Sequence, residues 1–117
     1  MVKIGVLVSG SGSNLQAIID AAAAGRINGE IVVVVSNEPE AYGLIRASEH
    51  GIDSVTVNHR DFSERRDFDR QLVKVLEQYN VELVVLAGFM RVVSKTFLER
   101  FPDRVTVSYT HLTLPTN

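Results

Sequence analysis

The stretch V-L-V-S-G-S-G-S-N-L-Q, Val6 to Gln16, decides the fold. A short apolar and β-branched run, residues 4–8, stands directly before a turn of glycine and serine. Such a run is typical of a strand covered on both faces in a parallel sheet. Gly10 and Gly12 let the backbone turn sharply, and Ser13 with Gln16 has the spacing of a capping box that begins a helix. Free N–H groups and the positive end of the helix dipole would meet there, which predicts a phosphate site.

Two common phosphate motifs do not describe this turn. The dinucleotide fingerprint GxGxxG requires glycine where Leu15 stands, and Ser36 and Asn37 occupy the place of its acidic residue after the second strand. No GK[ST] follows, so the turn is not a P-loop. A terminal phosphate monoester suits it better, because hydroxyl and amide donors come from Ser11, Ser13 and Asn14. A plain strand-to-helix connection is the alternative, since short glycine motifs often match by accident.

Composition limits the class of protein and its partners. The 117 residues suffice for one domain, and 12 basic and 14 acidic side chains give a net charge of -2. No basic cluster interleaved with aromatic residues is present, so small-molecule partners are expected rather than nucleic acid. The chain has no cysteine, which excludes disulfides and thiolate metal sites. Without a charged-then-apolar leader or a long apolar run, we expect a soluble cytoplasmic protein with no membrane contact.

Apolar and amphipathic segments alternate along the chain and predict an α/β fold with βαβ order. Helices are predicted over residues 14–24 and 41–50, with Gly25 and Gly51 as their stops. Asp61 and Glu64 are predicted to cap a third helix that runs to about Tyr79, and a short fourth helix follows from a Ser94 cap to Phe101. Charged residues of the third helix should form a solvated face, namely Glu64 to Asp67, Asp69 and Arg70. Further strands are predicted over residues 30–36, 54–57, 81–86 and 104–109.

The fourth strand along the chain should be interior, because residues 81–86 contain almost no polar side chain. It ends in the sequence A-G-F-M-R, residues 87–91. Ligands of open α/β sheets bind beyond the carboxyl ends of the strands. We therefore expect this end to neighbour the Gly/Ser loop.

At this point the sequence resembles the folate-dependent glycinamide ribonucleotide formyltransferases. The resemblance extends from residue 1 to about residue 105 and is carried by four segments: SGSGSNLQAIIDA (Ser9 to Ala21), VVSNEPEAYGLIRA (Val34 to Ala47), DFSERRDFD (Asp61 to Asp69) and VVLAGFMRVVS (Val84 to Ser94). Related formyl-handling enzymes share the last segment more than the first. The resemblance implies a Rossmann-like doubly wound, mostly parallel sheet of the formyltransferase fold, truncated after about the fifth strand.

The resemblance also implies a reaction and its binding residues. The family transfers a formyl group from 10-formyltetrahydrofolate to the amino group of glycinamide ribonucleotide in de novo purine biosynthesis. This reaction belongs to one-carbon metabolism, and the family needs no metal for it. The residues that match Gly12, Ser13 and Asn14 hold the ribose phosphate. Those that match Arg65 and the run Met90, Arg91, Val92 and Val93 belong to the folate site. From the residues alone, Arg65 is almost equally well explained as a helix-surface arginine, and Met90 as a core methionine.

The resemblance implies no catalytic residue in this chain. Val107 stands where the family has its catalytic asparagine, Tyr109 stands where it has its histidine, and the family aspartate would lie beyond residue 117. His111 comes two residues late, which moves a strand side chain about 6.6 Å, too far for proton transfer. Residues 106–117, threonine-rich and uncharged, are interpreted as an atypical and foreign tail that follows a formyltransferase amino-terminal domain over residues 1–105. The chain alone should be inactive, and its exposed sheet should favour self-association.

Two other functions are compatible with these residues. A formyltetrahydrofolate hydrolase would share the fourth segment, but it has no ribonucleotide phosphate for the GSGSN loop to hold. A non-catalytic phosphate or nucleotide-binding module would keep the loop without the chemistry. Separate titrations with ribose phosphates, nucleotides and folate would distinguish these possibilities.

Overall fold

The computed structural model describes residues 2–10, 12–89, 95–102 and 104–107. Five parallel strands form one sheet in the order β3-β2-β1-β4-β5. The strands are β1 Val2–Val8, β2 Gly29–Ser36, β3 Ser54–Thr56, β4 Leu83–Leu86 and β5 Val105–Val107. The helices are α1 Ser13–Ala23, α2 Tyr42–Glu49, α3 Arg65–Gln78 and α4 Lys95–Arg100, with a 3₁₀ turn at His59–Asp61. The predicted doubly wound parallel sheet is confirmed, with β4 in the interior between β1 and β5.

Strand β1 is covered on both faces of the sheet. Its residues Ile4, Val6 and Val8 pack with residues of α1 and with Ala47 of α2. Leu7 points to the other face, where it joins a cluster that contains Phe68 of α3 and residues of α4. Alternate side chains of a strand point to opposite faces, so an uninterrupted apolar run is what a doubly covered strand requires. The order of the strands reverses at β1, and a crevice therefore opens beyond its carboxyl end.

The first three α-helices end in the same left-handed turn. Gly25, Gly51 and Asn80 have φ angles of 76°, 69° and 57° and lie one residue beyond the C-caps. Their neighbours donate back into the last helical turn, as the Ile52 amide does to the Ala47 carbonyl at 2.8 Å. The predicted stops at Gly25 and Gly51 are confirmed. Asn80 was not predicted, although asparagine tolerates this conformation better than most residues.

The predicted helix starts are wrong in detail. Gly12 is the N-cap of α1, so Ser13 is the first helical residue and cannot be the cap of a capping box. The Gln16 side chain donates to Asp20 at 3.0 Å and accepts from Arg46 at 3.2 Å. The packing of α2 against α1 therefore determines where Gln16 points, and the local spacing does not.

The start of α3 also differs from the prediction. Glu64 is its N-cap but makes no side-chain capping bond, and Asp61 belongs to the 3₁₀ turn. Asp69 is wrongly predicted as part of a solvated face, since only 1% of its surface is exposed. It lies one position from the buried Phe68, whereas the other charged residues of the predicted face are exposed.

Some predictions are shifted or lie outside the described part of the chain. Strand β4 begins at Leu83 and not at Val81, because the Val81 amide donates to the Leu76 carbonyl and completes the end of α3. The predicted cap Ser94 and residues 108–109 of the predicted fifth strand are outside the described residues. Over the described ranges, no helix combines the length and the apolar character needed to cross a membrane.

Gly5 permits the close approach of α3 to the sheet, and its replacement should destabilise the fold. A Cβ atom at Gly5 would lie 2.7 Å from Leu76 Cδ2 and 3.0 Å from Val81 Cγ2. We expect Gly5→Ala to lower the free energy of unfolding by about 2 kcal/mol in urea denaturation, because overpacking a dense core is costly. In a Leu76→Ala background the same substitution should cost far less. Equal costs in both backgrounds would contradict this packing explanation.

Candidate functional site

The loop between β1 and α1 brings the amino terminus of a helix to the carboxyl edge of the sheet. Gly12 has φ 77°, a left-handed conformation that favours glycine, and it is the N-cap of α1. The first bond within the helix joins the Gln16 amide to the Gly12 carbonyl at 2.8 Å. The amides of residues 13–15 therefore have no acceptor within the helix. Together with the helix dipole they create a positive potential where β1 ends.

The loop packs backbone to backbone against α2. A Cβ atom at Gly12 would lie 2.7 Å from the Gly43 Cα, and one at Gly43 would lie 3.1 Å from Val8 Cγ2. The Gly43 amide donates to the Gly10 carbonyl at 3.1 Å. Gly43 was missed by the sequence reasoning, although a glycine near the start of a helix signals close packing because it weakens the helix by itself.

Arg46 adds a positive charge beside this loop. Its Cδ atom would be 3.2 Å from a Cβ at Gly12, and its guanidinium donates to the Gln16 side chain. The guanidinium carbon also lies 4.9 Å from the centre of the Tyr42 ring, within the range of a cation–π interaction. These two contacts hold the Arg46 side chain in place. Within the segment 34–47, no separate sequence signal distinguished this arginine.

The end of β4 lies next to the same loop. Gly88 has φ 74°, and a Cβ atom placed on it would be 3.9 Å from Asn14 Nδ2. The prediction that the end of β4 neighbours the Gly/Ser loop is confirmed at Gly88. Phe89 is the last described residue of the loop after β4, which we call the second loop. Met90, Arg91, Val92 and Val93 lie outside the described residues, as does Ser11 of the first loop.

A chain of polar contacts borders the site on the side of β2. The Ser9 hydroxyl donates to Asn37 Oδ1 at 2.5 Å, and Asn37 Nδ2 lies 3.1 Å from His59 Nδ1. Ser9 is 8% exposed and Asn37 is 2% exposed. Glu38 continues the chain, because its carboxylate lies 4.0 Å from His59 Nδ1 and accepts from Arg60 at 2.8 Å. His59 is the first residue of the 3₁₀ turn.

The Arg60 guanidinium, hydrogen-bonded to Glu38, holds the pKa of that carboxyl below its ordinary value against a smaller opposing effect of burial. A carboxyl whose pKa is lowered by folding stabilises the fold above its unfolded pKa. The contribution is lost as the pH falls through the folded pKa. The pair is exposed to solvent, so it orients the 3₁₀ turn more than it stabilises it.

Arg65, the first residue of α3, is exposed and differs from the two arginines near it. Arg66 pairs with Glu64 at 3.2 Å, and Arg70 lies 4.0 Å from Asp67. Arg65 makes no ion pair within the part of the chain that the structure describes. Its guanidinium is therefore available to an anionic ligand at the amino-terminal end of α3.

The carboxyl end of β5 lies at the same edge of the sheet. Val107, the last residue of β5, pairs with Leu86, the last residue of β4. The position that the resemblance assigns to an asparagine is thus beside the strand that carries the second loop. Tyr109 and His111 lie outside the described residues.

The remaining histidines, carboxylates and clefts of the described residues lie apart from this site or form no metal site. Over residues 2–10, 12–89, 95–102 and 104–107, no three His, Asp or Glu side chains come together as a metal site. His50 caps the end of α2, as predicted, and contacts Gln16 at 3.3 Å. A cleft of about 620 Å³ lies at the opposite, amino edge of the sheet, where both signs of charge are present: Lys3, Glu77, Glu82, Arg100 and Arg104.

These features define a doubly wound α/β protein with a site at the strand-order reversal, where a helix terminus and two glycine-bearing loops meet. A family model described as formyl transferase matches residues 2–112. The chain belongs to the formyl transferase family.

Several relatives show how much of a family member this chain represents. It is 44% identical over 103 residues to the phosphoribosylglycinamide formyltransferase of Escherichia coli, with 88% of this chain and 49% of that protein covered. It is 44% identical over 105 residues to the trifunctional purine biosynthetic protein adenosine-3 of Drosophila melanogaster, covering 88% of this chain and 8% of that protein. The crystal structure of glycinamide ribonucleotide transformylase 1 from Symbiobacterium toebii matches with a TM-score of 0.87 and 47% identity, over 90% of this chain and 50% of that one. The chain thus spans about half the length of these bacterial relatives.

Proposed function

We propose that this chain is the substrate-binding half of a phosphoribosylglycinamide formyltransferase, which transfers a formyl group from 10-formyltetrahydrofolate to glycinamide ribonucleotide in purine biosynthesis. The observation that carries the proposal is the contact region between the two loops, where Gly88 lies beside Asn14 at the carboxyl edge. A phosphate site and a folate site must be neighbours if a formyl group is to pass between their ligands. The similarity to a phosphoribosylglycinamide formyltransferase and to a glycinamide ribonucleotide transformylase supports formyl transfer to this substrate.

The substrate phosphate is proposed to bind Gly12, Ser13 and Asn14. Gly12 lets the loop pack closely against Gly43 because it has no side chain, and its left-handed φ sets the direction of the first turn, whose amides are proposed to face the phosphate. Arg46 adds a positive charge beside the same loop. A monoester fits this arrangement, because a helix terminus offers several amides to one anion.

The folate co-substrate is proposed to bind Arg65 together with Met90, Arg91, Val92 and Val93. The arginine fork matches a carboxylate in geometry, and folates carry carboxylates on their glutamate moiety. Arg65 is available for such a carboxylate, because no Asp or Glu in the described part of the chain forms an ion pair with it. The run 90–93 continues directly from the second loop, so its proposed position follows from chain connectivity.

The formyl transfer itself requires groups that are proposed to come from elsewhere. Attack of the amine on the formyl carbon forms a tetrahedral oxyanion, and a proton must leave the nitrogen and reach the departing folate nitrogen. An amide donor and a histidine would serve these steps, whereas Val107 and Tyr109 carry neither function at the corresponding positions. We propose that residues 1–105 form the binding domain, that residues 106–117 are a foreign tail, and that no metal takes part. A cytoplasmic location belongs to the same proposal.

A non-catalytic phosphate-binding module is the second candidate function. Valine at position 107 favours it, since a module needs the Gly/Ser loop but not the oxyanion donor. Binding of 10-formyltetrahydrofolate would favour the enzyme lineage, whereas binding of phosphates alone would favour the module.

Two glycine variants at the ends of α1 test the phosphate site. Gly12 and Gly25 have nearly the same φ, 77° and 76°, but an added methyl group meets Gly43 at Gly12 and nothing within 4 Å at Gly25. We expect Gly12→Ala to weaken binding of ribose 5-phosphate at least about tenfold in calorimetric titration, because the loop and its amides must shift. Gly25→Ala should retain wild-type affinity despite a similar backbone strain. Equal affinities of both variants would exclude this loop as the site.

Neighbouring arginines on α3 test the folate site. We expect Arg65→Ala to weaken binding of 10-formyltetrahydrofolate about fivefold, which is the loss of roughly 1 kcal/mol expected for an exposed arginine–carboxylate contact. Arg66→Ala removes an equal charge from the same turn, but Arg66 already pairs with Glu64. Its affinity should stay close to that of the wild type. An equal loss in both variants would indicate a general charge effect and not a contact of Arg65.

Turnover measurements test the division between binding and chemistry. With 10-formyltetrahydrofolate and glycinamide ribonucleotide, we expect no formyl transfer above the uncatalysed rate, because the chain supplies neither general base nor oxyanion donor at positions 107 and 109. A chimera that combines Val107→Asn and Tyr109→His with the carboxyl-terminal half of the Escherichia coli relative should transfer the formyl group. Turnover by the present chain would refute the proposed division.

A further inference from the structure

We propose that Asn37 is a positioning residue of the phosphate loop, which it holds through Ser9 on one side and through His59 on the other. This inference rests on the proposed phosphate site, because it concerns how that loop keeps its binding conformation. The three side chains come from the ends of β1 and β2 and from the 3₁₀ turn after β3. They connect three neighbouring elements at the carboxyl edge of the sheet.

Asn37 joins its two neighbours through its side-chain amide. Ser9 donates to Asn37 Oδ1, so the amide group of Asn37 faces His59. Asn37 Nδ2 lies 3.1 Å from His59 Nδ1, and the Asn37 backbone carbonyl oxygen lies 3.2 Å from the same nitrogen. The His59 ring is thus held by both the side chain and the backbone of Asn37.

Burial makes these contacts specific. Asn37 is 2% exposed and Ser9 is 8% exposed, and buried polar groups are costly unless they are hydrogen-bonded. An apolar pair could fill the same space without that requirement. A buried hydroxyl and a buried amide instead allow few arrangements of the strand ends, because any shift breaks a bond that water cannot replace.

The network acts on the loop through the backbone on either side of Ser9. The Asn37 amide donates to the Val8 carbonyl at 3.4 Å, directly before Ser9. The Gly10 carbonyl, directly after Ser9, accepts from the Gly43 amide at 3.1 Å. With Ser9 fixed between these two bonds, Gly10 keeps its register with α2, and the close contact of Gly12 with Gly43 follows.

Hydrogen exchange and phosphate titration of the full chain test the proposal. In Asn37→Leu, we expect the Gly43 amide to exchange at least about tenfold faster, because its acceptor on Gly10 is no longer held in place. The next amide, Leu44, donates to Ala41 at the start of α2 and serves as an internal control that should not change. Affinity for ribose 5-phosphate should fall at least about fivefold. Val75→Ala, a buried α3 residue distant in sequence from the loop, should lower stability but leave that affinity unchanged.

Two further measurements separate positioning from a general structural role. Ser9→Ala should accelerate exchange of the Gly43 amide in the same direction as Asn37→Leu does, since each variant removes the bond between Ser9 and Asn37. Asn37→Asp keeps a side-chain oxygen that accepts from Ser9 but removes the NH₂ group that faces His59. In that variant the Gly43 exchange rate should remain near the wild-type value, because the acceptor for Ser9 is kept.

Each outcome decides the matter. Unchanged exchange of Gly43 together with unchanged phosphate affinity in Asn37→Leu would overturn the proposal. If the wild type binds no phosphate, the proposed function fails. The exchange rates of Gly43 in the two Asn37 variants would then still decide whether Asn37 holds the loop.

Discussion

Strand β1 must be apolar on both faces and paired on both edges, and the remaining elements are arranged around that requirement. It pairs with β2 on one side and β4 on the other, while α1 and α2 cover one face and α3 and α4 cover the opposite face. A parallel strand in this position cannot face water, so each neighbour reaches it by a crossover helix. The strand order reverses at β1 because β2 pairs with one of its edges and β4 pairs with the other. The crevice at its carboxyl end is therefore a consequence of how the strand is buried.

The loop that lines this crevice is shaped mainly by backbone contacts. Gly12 and Gly43 touch without side chains between them, and the Gly10 carbonyl bonds to the Gly43 amide. Close backbone packing leaves little freedom, because any added atom displaces a helix and not merely a side chain. The geometry of a ligand site at this loop is consequently tied to the packing of α2 on α1. Arg46 and Gln16 connect the same two helices and place a positive charge beside the helix terminus.

Features decided by short-range chemistry could be predicted from the sequence, and those decided by distant partners could not. The apolar run 4–8 and the helix stops at Gly25 and Gly51 follow from local conformational preferences, and the structure confirms them. The capping box at Ser13 was wrong, because Gly12 already provides the left-handed cap and Gln16 contacts α2. Asp69 was misassigned because its charge suggested a solvated position, whereas it is buried next to Phe68 in α3. The side-chain network of Asn37 joins residues 22 and 28 positions apart, beyond the reach of any local pattern.

The proposed binding residues and the proposed catalytic positions follow different strands of the sheet. The loops after β1 and β4 meet through Gly88 and Asn14, and neither loop needs the end of β5 to reach the other. Position 107 lies beside Leu86 in the register of the sheet, at the same edge but outside the loop contacts between β1 and α2. Valine at this position keeps the sheet pairing and does not supply the polar group that the proposed reaction needs. Under the proposed function, the neighbouring loops after β1 and β4 would bind the two ligands, whereas the groups that transfer the proton would have to come from outside positions 107 and 109.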